Sequence, residues 1–340
     1  MSRKKIIIVG LFPDVQQAPI TQASELADLL RAHGYDVLTV SRHRDKWQRL
    51  TDIITTLFRR SSQYHVAIVQ FYSGNSFIWQ FIAAHIVKLL GKKLILTIHG
   101  GGVPAAIAKY RKRYLSVLNK ADVITVPSGF IADRLGAYSL QTQIVENTIP
   151  LREYPSYDKE DIRPNILWMR SFGSIYNPLM AIRVIDVLKS YYPNVKMYMG
   201  GIDMGLLEET RQLIHELGLQ HNIEIAGFMD AEKKKYYAEV CDVYMSTNRI
   251  DNAPVTFLEM WAMGLPIVST NVGGVSHLVT DNEDGLLVAD DDHMAMAEKI
   301  RLIIEYKTIS SGLIEAGKKK VAAYDEEVVY HKWDNILSAL

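Results

Sequence analysis

The stretch of sequence with the most chemical content runs from Asp251 to Gly274. Asp251 and Asn252 occupy a polar loop, Pro254 stands where a helix would begin, and Glu259 follows eight residues after Asp251. Proline suits a helix start because its missing N–H would have had no partner there. The backbone amides of Val255 and Thr256 are then free, with the positive end of the helix dipole behind them, which makes a seat for an anion such as a diphosphate. Glu259, one to two turns into the helix, offers only acceptor oxygens when ionised and fits the hydroxyls of a sugar or a ribose. Gly264 is placed to stop the helix, and Gly273-Gly274 lets backbone approach a ligand closely. Taken singly, Gly-Gly is a turn and Glu259 a surface helix residue.

Such a seat needs a scaffold of strands and helices, and the sequence supplies one twice. Short Val- and Ile-rich runs, Ile6–Val9, Val37–Val40, Val66–Val69, Leu94–Ile98 and Val123–Val126, alternate with segments of helical period such as Ala23–His33 and Pro104–Lys120. Continuous apolar runs imply strands buried on both faces, and the alternation predicts a doubly wound parallel sheet. The rhythm breaks at Ile149–Pro155, which reads as a linker, and resumes at Ile166–Met169, Val195–Met199, Ile223–Ala226, Val243–Ser246, Pro266–Ser269 and Leu286–Val288. The expected domains are therefore 1–150 and 151–325, two Rossmann-like sheets facing a cleft at the carboxyl ends of their strands.

Other chemistries lose their support by absence of pattern. There is no G-x-x-x-x-G-K-[ST], no G-x-G-x-x-G after the first strand, no zinc spacing and no G-x-S-x-G elbow. Asp290-Asp291-Asp292 could hold a divalent cation, but its position also suits capping of the helix from Met294, and the second reading is preferred. No metal is expected. One cysteine, Cys241, in 340 residues speaks for a reducing cytoplasm. No secretory leader is expected from the short run Ile6–Phe12, and no membrane span from the oily stretch Phe77–Leu90, which contains Gln80, His85 and Lys88.

A net charge of zero conceals a division. Residues 1–150 carry 19 Lys and Arg against 9 Asp and Glu, a charge of +10, and the remainder carries −10. Two basic amphipathic stretches contribute: Arg42–Arg60, which ends in Arg59 and Arg60, and the run Lys109, Arg111, Lys112, Arg113. Such helices dock on anionic lipid headgroups, or are ordinary core-facing helices with a charged outer face. Nucleic acid is not expected, since no recognition module is present.

The Asp251–Gly274 segment, together with Asp284-Gly285-Leu286-Leu287-Val288, resembles the donor-site signature of family-4 glycosyltransferases, retaining enzymes with the two-domain GT-B fold. The likeness extends over nearly the whole chain: His33-Gly34-Tyr35, Thr97-Ile98-His99-Gly100-Gly101, Ala121-Asp122, Glu146-Asn147 and Gly227-Phe228 fall in family order. The resemblance implies a nucleoside diphosphate sugar in the second domain, with Glu259 on ribose, Asp251 near the transferred sugar, Phe228 at the base and Arg170 on the diphosphate. It implies that His99 lines the reacting centre from the other domain, that domain closure assembles the two halves, and that a final helix, 326–340, packs back on the first. No cofactor beyond the nucleotide sugar is implied.

Four departures from the family pattern bear on the chemistry. Asp251 stands for a glutamate. The stretch Ser171–Pro178 lacks the lysine expected after Arg170, a role Arg249 could take. Gln17-Ala18 replaces a glycine pair, and His277 replaces a glutamate. The reading is a metal-independent, retaining glycosyltransferase acting on a glycan or lipid-linked acceptor, cytoplasmic and peripheral at the inner face of the membrane. The alternatives are a nucleotide-sugar epimerase of the same architecture and a non-catalytic nucleotide-sugar binder.

Overall fold

A computed structural model describes residues 4–12, 21–43, 45–99 and 102–340. Gln17-Ala18, Gly100-Gly101 and Arg44 lie outside the described residues. The chain forms two compact units, Met1–Asn147 with Glu326–Leu340, and Thr148–Asp325.

The first unit holds a parallel sheet of β1 (Lys5–Val9), β2 (Asp36–Val40), β3 (Val66–Phe71), β4 (Lys93–Ile98), β5 (Val123–Val126) and β6 (Gln143–Ile144), in the order β2-β1-β3-β4-β5-β6. The second holds β7 (Asn165–Met169), β8 (Lys196–Gly200), β9 (Ile223–Gly227), β10 (Val243–Ser246), β11 (Ile267–Thr270) and β12 (Leu286–Val288), in the order β12-β11-β10-β7-β8-β9. The predicted strands are all present. β6 was not predicted, because two exposed residues carry no hydropathy period.

Helices of the first unit are α1 (Gln22–Ala32), α2 (Lys46–Arg59), α3 (Phe77–Leu89), α4 (Val103–Lys109), α5 (Arg111–Leu118) and α6 (Gly129–Gly136). Those of the second are α7 (Pro178–Lys189), α8 (Leu207–Glu216), α9 (Ala231–Val240), α10 (Val255–Ala262), α11 (Val275–Leu278), α12 (His293–Glu305) and α13 (Lys307–Val321); α14 (Glu326–Ala339) returns to the first. Local chemistry sets their starts: Thr21 and Ser24 form a capping box on α1, Asp45 accepts from Trp47 and Gln48 N–H at α2, and Asp230 caps α9. Each sheet is buried on both faces, which is why β3 reads as an unbroken apolar run apart from Gln70.

Two expectations are corrected. The single helix over Pro104–Lys120 is broken at Tyr110, whose backbone (φ −129°, ψ 47°) leaves the helical region. The turn lets Tyr114 pack on Phe77 with ring centroids 4.2 Å apart and sets the Arg113 guanidinium over the same ring. The stretch Ile149–Pro155 is no free linker but part of the second unit: Ile149 N–H donates to Tyr324 O at 3.1 Å, and Tyr154 reaches Glu259.

α14 is built into the first unit. Val329, Tyr330, Trp333, Ile336 and Leu337 are buried with Leu26, Leu30, Tyr35 and Val37. His33 stacks on Tyr330 at 3.6 Å, Tyr35 OH donates to Asp334 at 2.7 Å and Lys332 pairs with Glu146 at 2.5 Å. His33, Tyr35 and Glu146, which entered the resemblance as motif residues, thus seat this helix.

Candidate active site

In the second sheet, β7 has β10 on one side and β8 on the other, so the strand order reverses between β7 and β10. A crevice opens at such a point beyond the carboxyl ends of the strands. Arg170 leaves β7 there, and the loop Thr247–Pro254 leaves β10 beside it. The two are tied: Arg170 Nη2 donates to Asp251 Oδ2 at 2.9 Å. Asn248 Nδ2 donates to the same oxygen at 2.7 Å, and Asn252 N–H donates to Oδ1 at 2.8 Å.

That network fixes the loop which opens α10. Gly274 N–H donates to Asp251 O at 2.7 Å. At φ +60°, a Cβ on Gly273 would lie 2.0 Å from the Asp251 carbonyl oxygen, and one on Gly274 would lie 2.2 Å from that of Asn252. The glycine pair is therefore a structural requirement of this loop, which presses backbone against backbone. α10 begins at Val255 with no side-chain cap, so the Val255 and Thr256 N–H groups have no intrahelical acceptor. The guanidinium of Arg170 is largely buried, and its Nε has no hydrogen-bond partner among the described residues.

Glu259, one turn further along, is buried. Its Oε1 accepts from Lys234 Nζ at 2.7 Å and from Tyr154 OH at 3.1 Å, whereas Oε2 has no partner among the described residues. Phe228, just past β9, is exposed, and its carbonyl accepts from Lys233 Nζ at 3.5 Å. The structure thus joins Arg170, Asp251, Asn252, Gly273 and Gly274 in one cluster and sets Glu259 on the helix that this cluster opens.

Three contributors were not read from the sequence. Lys234 belongs to no motif in the sequence, being the middle of the run Lys233–Lys235, yet it lies four residues before Ala238, the buried residue of α9, and so shares its inward face. Tyr154 sat in an apparent linker. Asn248 lies in a loop, where no periodicity marks an inward residue.

The remaining candidates have other partners. Arg249 faces Asp290 at 3.9 Å and Asp291 at 3.5 Å, so it is engaged away from the Arg170 cluster. Asp292 caps α12 by accepting from Ala295 N–H at 2.9 Å, and Asp291 accepts from Asn177 Nδ2 at 3.0 Å. Among the described residues no group of three or more His, Cys, Asp or Glu is placed to hold a metal ion.

In the first unit, His99 follows β4, and its N–H donates to Phe71 O at 3.2 Å. Its ring stacks on Tyr72 at 5.8 Å, and its Nε2 is buried without a partner among the described residues. Burial pushes the imidazole down to about 4, so it is neutral at pH 7. Arg59 and Arg60 end α2, with Arg60 bound to Gln63 at 2.9 Å, while Lys109, Arg111, Lys112 and Arg113 straddle the α4–α5 break. Of that group, Arg111 lies over Tyr138 and Lys109 over Tyr110.

Two sequence profiles match successive parts of the chain. The sequence profile described as "Glycosyl transferases group 1" matches residues 155–320, and that described as "Glucosyltransferase 3-like, N-terminal domain" matches residues 5–149. Residues 155–320 are thus a group 1 glycosyltransferase domain, and the two parallel-sheet units have the GT-B fold. Among similar proteins is the Campylobacter jejuni "GalNAc-alpha-(1->4)-GalNAc-alpha-(1->3)-diNAcBac-PP-undecaprenol alpha-1,4-N-acetyl-D-galactosaminyltransferase", 24% identical over 54% of this chain and 49% of that protein. The chain thus spans about half the length of this relative. A second, from the same organism, is named "N-acetylgalactosamine-N,N'-diacetylbacillosaminyl-diphospho-undecaprenol 4-alpha-N-acetylgalactosaminyltransferase" and is 25% identical over 72% of this chain and 69% of that one. Among solved structures, Anabaena Alr3699/HepE in complex with UDP shares the fold, with a TM-score of 0.79 at 15% identity over 99% of this chain and 100% of that chain.

Proposed function

We propose that this group 1 glycosyltransferase moves a sugar from a nucleoside diphosphate sugar to a lipid-linked glycan or polysaccharide precursor, with retention and without a metal ion. The observation that carries the reading is the tie between Arg170 and Asp251 at the strand-order reversal. It holds a guanidinium beside the uncapped start of α10. A diphosphate there meets two free amides, the positive end of a helix dipole and the unpartnered Nε of Arg170. When the bond to the sugar breaks, negative charge grows on the leaving nucleotide. Donors already aimed at that place stabilise it without reorganising. Glu259 Oε2 is left to accept from a donor hydroxyl. Undecaprenol-linked acceptors in the names of two relatives, and UDP in a structure of the same fold, support the acceptor and donor classes.

An acceptor of that class lies at a bilayer, and the +10 charge of residues 1–150 suits contact with anionic headgroups. No helix among the described residues is long and apolar enough to cross a membrane.

The test is a thermal-shift screen with uridine, guanosine and adenosine diphosphate sugars, followed by product analysis with labelled donor and lipid-linked acceptors. At least one donor is expected to raise the melting midpoint, and Glu259→Ala to abolish the rise. Arg170→Ala is expected to slow transfer by about a hundred- to a thousandfold, the scale of one lost charge-stabilising group. Epimerised free sugar would assign an epimerase instead, and binding without turnover of any donor would assign a binder.

A further inference from the structure

The two oxygens of Glu259 are used unequally. Oε1 takes Lys234 Nζ at 2.7 Å and Tyr154 OH at 3.1 Å, which occupies both of its lone pairs. Oε2 is buried with no partner among the described residues, and Glu259 as a whole is only 5% exposed. A buried carboxylate oxygen left without a hydrogen bond is costly, so this one is set up for a ligand. Beside it, the Lys234 side chain is 27% exposed, and its ammonium carries three N–H bonds, one of them spent on Glu259. An atom that only accepts therefore lies next to an atom that only donates. A hydroxyl group does both, and two adjacent hydroxyls can donate to Oε2 while one of their oxygens accepts from Nζ.

We propose that Lys234 is a specificity-determining residue of the donor site, forming with Glu259 a mixed donor and acceptor clamp on the vicinal diol of the nucleotide ribose. The inference rests on the reading that a nucleoside diphosphate sugar binds at α10. Lys234 also balances Glu259 as Arg170 balances Asp251, so each carboxylate of the site has its own cation and neither repels the incoming diphosphate. No cation lies in the segment Ser171–Pro178 that follows Arg170, which leaves this α9 side chain as the second positive group of the site.

Isothermal titration tests the clamp. The intact protein is titrated with UDP, GDP and ADP, and then with the 2′-deoxy and 3′-deoxy forms of whichever binds best. The wild type is expected to favour the ribonucleotide over at least one deoxy form by about tenfold or more. Lys234→Met should weaken the ribonucleotide by about ten- to a hundredfold and the deoxy forms far less, so that the preference collapses. Lys234→Gln, which keeps an N–H donor and adds no apolar end, should retain part of the preference, and it serves alone if Lys234→Met does not fold. Equal weakening of ribo and deoxy forms, or an undiminished preference in the variants, overturns the proposal. If Glu259→Gln abolishes binding while the Lys234 variants keep the full preference, the donor reading stands and only the clamp falls. A wild type that binds none of the three nucleotides overturns both.

Discussion

His99 follows β4 with an imidazole that burial holds near a pKa of about 4, against an ordinary value of 6.5. Between those values the unfolded chain binds a proton that the folded one refuses. Stability contributed by the neutral ring is thus complete above about 6.5 and is lost as pH falls through about 4, by about 3 kcal/mol in all. Chemical denaturation of wild type and His99→Asn from pH 4 to 7 should show the wild type losing stability faster towards acid. Parallel profiles would show that the ring is not held neutral by the fold. At this scale the sequence disclosed Asp251 and Glu259 because their spacing is local, fixed by one loop and one helix turn, and the glycine pair because two adjacent glycines mark a close backbone approach, although α10 and β11 lie between it and Asp251. Lys234 and Tyr154 join them from two other segments, by contacts at 2.7 and 3.1 Å that only folding makes, and Asn248 joins from the same loop as Asp251, at 2.7 Å, where no periodicity marks it.

Strands were the most legible elements, since burial on both faces writes itself as an unbroken apolar run. Element ends were less so: the break at Tyr110 goes with the packing of Tyr114 on Phe77, a partner 37 residues away. The α2 helix bears on membrane contact. It fully buries only Ile53 and Leu57 and leaves Trp47 and Phe58 in solvent, with Lys46 and Arg59 next to them. A core-facing amphipathic helix has no need of an exposed tryptophan at its start, whereas a headgroup layer accommodates its ring. Wild type should cosediment with phosphatidylglycerol vesicles more than with phosphatidylcholine vesicles, and salt should reduce the difference. Replacing Lys46 and Trp47 by Ala should lower recovery severalfold, each basic side chain contributing about 1 kcal/mol. Equal recovery on both lipids, indifferent to salt, would remove α2 from that role.

At the scale of the molecule, the first unit is discontinuous in sequence, made from Met1–Asn147 and Glu326–Leu340. Five apolar side chains of α14 are buried in it, each worth about 1.5–3 kcal/mol when fully covered, a sum comparable with the whole net stability of a domain. A chain ending at Asp325 should therefore lose the calorimetric transition of the first unit while the second, Thr148–Asp325, still melts cooperatively. Retention of both transitions would show that α14 is dispensable. The two parallel sheets were readable from β-strand rhythm, whereas the return of α14 came only from the family resemblance, because an amphipathic helix declares that it has a partner and not which one.

That return has a consequence for the order of events at the ribosome. Residues are synthesised from the amino end, and each body folds once its residues have emerged. Thr148–Asp325 is complete in one uninterrupted stretch, whereas the earlier-made body waits, with the apolar surface around Leu26 and Val37 uncovered, until the closing helix has been translated. Of these two bodies, the one begun earlier is thus the one completed later, and its apolar surface stays open the longer.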